Sequence, residues 1–228
     1  GVSIIGGIYI HNNADSTTLK NISIDGQSNA GILLSNALGV TIDNCNITNS
    51  TQEGVYVAYT SSVNISNCNI SNNMRQGIRA ENWEQENIDV VVDNCIINYN
   101  NADNAEYGSG IGFRVWGTAT SLTVTNSEIS NNYGGGHSSA AAIFLDGSSL
   151  TLNIDNVTIS NNEGDGIYIS ASNEQSVINN VTIDSNTGIG ISNLENSTLT
   201  NSTISNNLSG GLREVYNSSI QNVLIDGN

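Results

Sequence analysis

Short alternating runs of apolar and polar residues fill this chain from end to end. No stretch carries the helical spacing of about 3.6 residues. Residues 156–170, NVTISNNEGDGIYIS, show the unit: Val157/Ile159 and Ile167/Ile169 alternate with polar neighbours on either side of an Asn/Glu/Gly/Asp segment. An asparagine followed three residues later by an aliphatic residue recurs at Asn21, Asn44, Asn67, Asn94, Asn126, Asn156, Asn180, Asn201 and Asn222. Between these positions a small residue opens an apolar-x-apolar run. The run reads GIYI at Gly7, GILL at Gly31, GVYV at Gly54, GIRA at Gly77, GFRV at Gly112, AIFL at Ala142, GIYI at Gly166 and GIGI at Gly188, with a degenerate GLRE at Gly211. The usual period is 21 to 24 residues, and self-similarity of that length is the signature of a solenoid.

Each unit holds three runs, as in GIYIS, LNID and VTISN within residues 152–170. The inward residues of one run cannot form a core alone. Stacked on the next coil, about 4.8 Å away, they form continuous apolar columns. The recurring asparagine falls between the second and third runs. Asn tolerates the left-handed conformation of a tight corner, and its amide can bond to the amides above and below, so a buried asparagine ladder is expected there. The pattern predicts an all-β, single-stranded parallel β-helix of about nine coils. It forms one domain over residues 1–228, with no evident caps.

The repeat G-[IV]-x-[IV] … I-x-N-x-x-I-x-x-N runs through essentially all of the chain. It resembles the right-handed β-helices of pectate lyases, polygalacturonases, alginate epimerases and the periplasmic NosD-like repeat group. The resemblance implies a right-handed coil and a carbohydrate-active setting. A family-specific catalytic signature, such as the D-P-H-D of alginate epimerases, is absent from the sequence. Activity must therefore be argued from particular side chains.

Composition narrows the partners. With 21 acidic and 5 basic residues the formal net charge is −16, which makes nucleic acid and anionic membrane surfaces poor partners. No apolar run reaches transmembrane length and no signal peptide opens the chain. Gly1 already lies inside the repeat, so the chain reads as a mature or excised segment. The polar, acidic character favours an extracellular or cell-surface location.

Cys45, Cys68 and Cys95 each follow a ladder asparagine, where Ile22, Val157, Val181 and Val223 stand in other coils. They are expected to form a buried thiol column. Zinc is not expected, because the stacked thiols lack chelating spacing and the only histidines are His11 and His137. Eleven N-x-[ST] sequons are present. Several of them, including Asn21, Asn156, Asn180 and Asn201, are products of the repeat, and as buried corner amides they are not expected to accept glycans.

The repeat is stretched in the middle of the chain. From each ladder asparagine to the next inward anchor the distance is 11 residues after Asn21, Asn44 and Asn67, then 19 from Asn94 to Phe113 and 17 from Asn126 to Ile143. It is 9 from Asn180 to Ile189. The opposite arc lengthens to 16 in the coil of Ile78. Long loops are thus predicted at 81–89, 98–111 and 131–141, beside coils four to six, where solenoid insertions frame binding sites.

The outward residue after each anchor reads Tyr9, Leu33, Tyr56, Arg79, Arg114, Phe144, Tyr168, Gly190 and Arg213; two residues further stand His11, Ser35, Ala58, Glu81, Trp116, Asp146, Ser170 and Ser192. Trp83, Tyr107, Tyr133 and His137 are added at the edges by the loops. Of the five cations, Arg79 and Arg114 stand on this floor and Arg75 in the turn entering it. Aromatic faces stack on sugar rings and arginines pair with carboxylates or sulfates, so the floor is a candidate carbohydrate groove. Its substrate-binding residues are Tyr56, Arg79, Trp83, Trp116, Phe144 and Tyr168.

The catalytic candidates are Glu81, Asp146, His137 and Arg114. Two inter-coil steps put Glu81 and Asp146 about 10 Å apart, near the upper end of the ~6.5–9.5 Å separation of inverting glycosidases. The other route is β-elimination or C5 epimerisation of a uronic acid. There Arg79 and Arg114 neutralise the substrate carboxylate, and His137, a tyrosine or an arginine takes the proton. No cofactor is required by either route. In β-helix lyases of the kind resembled, acidic groove residues also bind Ca²⁺, a role the resemblance implies for Glu81 and Asp146. The expected function is that of an extracellular polysaccharide lyase, epimerase or glycoside hydrolase acting on an acidic polysaccharide. The competing expectation is a non-catalytic adhesin, sheath or filament subunit, whose uncapped ends stack on other copies or on flanking domains.

Overall fold

The computed structural model describes the chain apart from residues 1, 13, 28, 60, 83–86, 102–107, 117–119, 135–139 and 171 and the side chains of 172–174. Its strands stack in parallel, coil upon coil. Among the described residues the first ladder has nine rungs, with eight turns from first to last. They are Ile8–His11, Ile32–Ser35, Val55–Ala58, Ile78–Asn82, Ile111–Val115, the start of Ala141–Ser160, Asp165–Ile169, Ile189–Glu195 and Gly210–Tyr216. The second and third runs stack likewise, for example Ser61–Ser66 on Ile88–Asp93 and Asn69–Ser71 on Ile96–Asn98. In coil six one unbroken strand, Ala141–Ser160, carries all three runs.

Alternation alone explains the core. Ile32, Val55, Ile78, Ile111, Ile143, Ile167 and Ile191 form one fully buried column. Volumes are matched along the neighbouring column, where Phe113 lies between Ala80 and Leu145, so a large side chain is stacked on a small one. Cys45, Cys68 and Cys95 are buried free thiols. Each thiol donates to a backbone carbonyl two residues before it, such as Cys68 Sγ to Ser66 O at 3.0 Å.

The register of two coils differs from the expected one. In coil five the residue paired with Ile78 and Ile143 is Ile111, not Phe113. In coil eight the partner of Ile167 is Ile191, not Ile189. Each segment contains Gly-Ile-Gly, which offers two equivalent alternations. In the observed register Gly110 and Gly190 take the corner. A Cβ on Gly110 would lie 2.5 Å from Ile129 Cγ2, and one on Gly190 would lie 2.4 Å from Ile204 Cγ2, as at Gly54 and Gly77 in regular coils. Only glycine lets the third run pack that closely.

The ladder is double, and the expected row is the outer one. Asn21, Asn44, Asn67, Asn94, Asn126, Asn156 and Asn180 have φ between 51° and 58°, as left-handed corners require, but their side chains are exposed. Most bond along the row, for example Asn94 Nδ2 to Asn67 Oδ1 at 2.7 Å. The expectation that these amides are buried, and closed to glycans for that reason, is therefore corrected. The buried ladder is Asn73, Asn100, Asn132, Asn162, Asn186 and Asn207, each 0–1 % exposed. It lies just after the third run. Every Oδ1 from Asn100 to Asn207 accepts the backbone N–H and the side-chain amide of the preceding rung.

Candidate functional site

Correct register changes what the outer face of the first ladder presents. Glu81, Arg114 and Asp146 are consecutive rungs of one column. The position between the two carboxylates thus holds Arg114, where Trp116 was expected. The neighbouring column runs Tyr9, Leu33, Tyr56, Arg79, Gly112, Phe144, Tyr168, Ser192 and Arg213.

The charged groups link into one row. Buried Glu53 accepts Arg75 Nη1 at 3.4 Å and Arg79 Nη1 at 3.1 Å on the same oxygen. Arg79 Nη2 reaches Glu81 Oε2, which also accepts the Tyr56 hydroxyl at 3.3 Å. Arg114 then spans Glu81 Oε1 at 3.7 Å and Asp146 Oδ2 at 3.6 Å. Burial opposes the Arg79 charge, but Glu81 and Glu53 outweigh it and hold the guanidinium above its ordinary range. Burial and then the Glu81 charge push Tyr56 up to about 12, so its hydroxyl is a donor and not a base at neutral pH. Glu53 was not singled out by alternation. It stands at the corner just before Gly54, a position taken by a second acid, Asp165, which pairs with Arg213 at 3.7 Å.

Aromatic rings border the row. Arg79 lies over Tyr56 at 5.3 Å and Arg114 over Trp116 at 5.6 Å, within cation–π range. Phe144 stacks on Tyr168 at 5.4 Å with an interplanar angle of 9°. Phe144 itself is 2 % exposed: its Cβ lies 2.8 Å from where a Cβ on Gly108 would stand, so the backbone at Gly108 covers it. It belongs to the packing beneath the surface, and Tyr168 is the accessible partner. Tyr133 is half exposed and its backbone pairs with Asn101. Trp83, Tyr107 and His137 lie outside the described residues, as do the middles of the three expected loops.

Calcium does not fit the two acids proposed for it. Glu81 and Asp146 both face the Arg114 guanidinium, and Glu81 holds Arg79 as well, so their oxygens already serve cations. Among the described residues no cluster of three or more His, Cys, Asp or Glu side chains is arranged to hold a metal. The cysteines are buried, and the contact with Cys68 lowers only the Cys95 thiol. Burial pushes the Cys45 thiol up, and contact with the Cys95 thiol together with burial does the same for Cys68.

Comparison with solved structures finds the same fold elsewhere. A periplasmic alginate epimerase, AlgG, superposes with a TM-score of 0.62 at 13 % identity, over 96 % of this chain and 49 % of its own. ORF18 of Geobacillus virus E2 superposes at 0.57 and 13 % identity, over 90 % of this chain and 42 % of its own. The chain thus spans about half the length of either. Among curated proteins none matches. No helix among the described residues is long and apolar enough to cross a membrane. The model of the right handed beta helix region matches residues 3–142 and 141–228, and the chain belongs to the right-handed β-helix family.

Proposed function

We propose that the outer face of the first ladder binds a polysaccharide outside the cytoplasm, an acidic chain in preference to a neutral one. The observation that carries this reading is the row itself. In a chain of net charge −16, three of the five cations gather on one face beside Tyr56 and Trp116. Guanidinium donors and carboxylate acceptors, held rigid by one another, match the hydroxyls and acid groups of sugars. Partly exposed rings match the apolar sugar faces. The shared fold with a periplasmic alginate epimerase supports both the ligand class and the location.

The geometry favours binding over turnover. Arg114 occupies the gap between Glu81 and Asp146 where an inverting hydrolase seats its water, and Tyr56 stays protonated. An inverting-hydrolase route therefore requires Arg114 to leave that gap.

The test is calorimetric titration of a uronic-acid polymer and its neutral counterpart. The acidic chain binds more tightly, and salt narrows the difference. Arg114→Ala reduces the preference while the fold survives, and Trp116→Ala weakens both ligands. An unsaturated product absorbing in the near ultraviolet marks a lyase; new reducing ends without it mark a hydrolase. Absence of binding across a broad glycan panel removes the reading in favour of a structural surface protein.

A further inference from the structure

We infer that coils one to three hold a subsite for a single uronic-acid ring, separate from the Glu81–Arg114–Asp146 column. The inference rests on the polysaccharide reading and says where the acidic sugar sits. A cavity of about 500 Å³ opens on the N-terminal part of the face, lined by Tyr9, Leu33 and Tyr56 with Asn29 and Gln52 at its side. Its size lies within the range of about 300–1,000 Å³ typical of small-ligand sites. The three outward side chains are consecutive rungs of one column, so Leu33 forms an apolar floor between two tyrosine rings. Asn29 and Gln52 supply amide donors and acceptors beside it. That combination, an apolar platform edged by neutral polar groups, suits one face and the hydroxyl rim of a pyranose.

Charge order supplies the acid specificity. The ionic row is neutral as a whole, with Arg75, Arg79 and Arg114 against Glu53, Glu81 and Asp146. Its most N-terminal member, Glu53, is an acid, but that side chain is 1 % exposed, so the accessible charge at the N-terminal end is cationic. Two guanidiniums share Glu53 at the N-terminal end, and the other end finishes on Asp146. The positive end borders the cavity: Tyr56, one wall, carries Arg79 on its ring, and the Arg75 amide bonds to the carbonyl of Gln52, another wall, at 3.1 Å. Arg75 is the most exposed cation of the row, its side chain 39 % accessible. A sugar carboxylate is therefore drawn to Arg75 and repelled from Asp146. From the rung of Tyr9 to that of Asp146 are five inter-coil steps, about 24 Å. A disaccharide reaches only the subsite, whereas a hexasaccharide crosses to Trp116.

The experiment titrates four proteins, wild type, Tyr9→Ala, Arg75→Gln and Trp116→Ala, with a uronic-acid disaccharide, the corresponding hexasaccharide and its carboxyl-reduced neutral form. Thermal midpoints confirm that each variant is folded. Arg75→Gln lowers affinity for both acidic ligands about five- to tenfold and leaves the neutral hexasaccharide within about twofold. Tyr9→Ala weakens all three ligands. Trp116→Ala weakens the hexasaccharides and spares the disaccharide. If Tyr9→Ala and Arg75→Gln bind like wild type while Trp116→Ala weakens the hexasaccharides, the subsite is wrong and the wider face stands. Loss of disaccharide binding in Trp116→Ala also overturns it, by moving the acid site to the central column. If wild type binds none of the three, both readings fall together.

Discussion

Asn162→Ala isolates the buried ladder, because that residue is 0 % exposed and every polar atom of its side chain is used. Its Oδ1 accepts the backbone N–H and the side-chain amide of Asn132, both at 3.0 Å. Its Nδ2 donates to Ile129 O at 2.9 Å, Ser160 O at 3.1 Å and Asn186 Oδ1 at 3.0 Å. Truncation leaves the Asn132 N–H facing a methyl group in the core, while the Asn132 amide keeps its bond to Ile97 O. An orphaned buried donor costs about 1–3 kcal/mol and each lost hydrogen bond about 1 kcal/mol, so the expected destabilisation is about 3–5 kcal/mol. Asn156→Gly is the control. It loses two bonds of the outer row, to Asn126 at 2.8 Å and from Asn180 at 3.2 Å. Both are exposed and water replaces them, and glycine adopts φ near the 55° of Asn156 without strain. Its cost is expected below about 1 kcal/mol. Urea unfolding followed by circular dichroism gives both midpoints, and a changed slope reveals coils that open separately. Equal effects, or a larger loss at Asn156, would refute the assignment of the inner row as the stabilising ladder.

Three further outcomes are expected. Cys45, Cys68 and Cys95, all buried, resist alkylation in native protein and react on unfolding; rapid native labelling of Cys68 contradicts a packed thiol column. Gly110→Ala places a methyl 2.5 Å from Ile129 Cγ2 and costs about 1–3 kcal/mol by overpacking; a neutral effect would return the register of coil five to Phe113. The Lys20 hydrogen bond, with further bonds from Asn67 and Ser66, lowers Asp43 from 3.8 to about 2, so its contribution is complete above 3.8 and is lost as pH falls towards 2. Tyr56 has the opposite sign: raised from 10.0 to about 12, it makes stability decline as pH climbs through that interval. Asp43→Asn and Tyr56→Phe should flatten the acid and alkaline limbs respectively in pH-dependent unfolding, and an unchanged limb refutes the corresponding assignment.

What is local in this protein was legible in its residues. Period-2 alternation, a repeat near 23 residues and asparagine at left-handed corners suffice for a parallel solenoid with its thiols stacked inside, because each coil packs only on its neighbours. Register in the Gly-Ile-Gly segments was undetermined by alternation, since a shift of two residues keeps every apolar side chain inward. In the observed register Gly110 and Gly190 pack on the third run at Ile129 and Ile204, contacts between residues distant in sequence. One regularity was nonetheless available: with Ile111 and Ile191 as anchors, the distance from Asn180 becomes 11 like that of the regular coils, and that from Asn94 becomes 17 like that from Asn126.

The site needed tertiary structure for the same reason. Tyr56, Arg79, Glu81 and Asp146 were placed on one face by pleat alone. That Arg114 sits between the acids, that Glu53 anchors two arginines from beneath, and that Gly108 covers Phe144 depend on inter-coil register and on a chain segment folding back over the sheet. Of the three asparagines in NVTISNN the repeat marked Asn156 alone, and the left-handed corners stand at Asn156 and Asn161. Only the direction of each turn sends Asn156 out to solvent and Asn162 into the core, where no water can replace a missing bond.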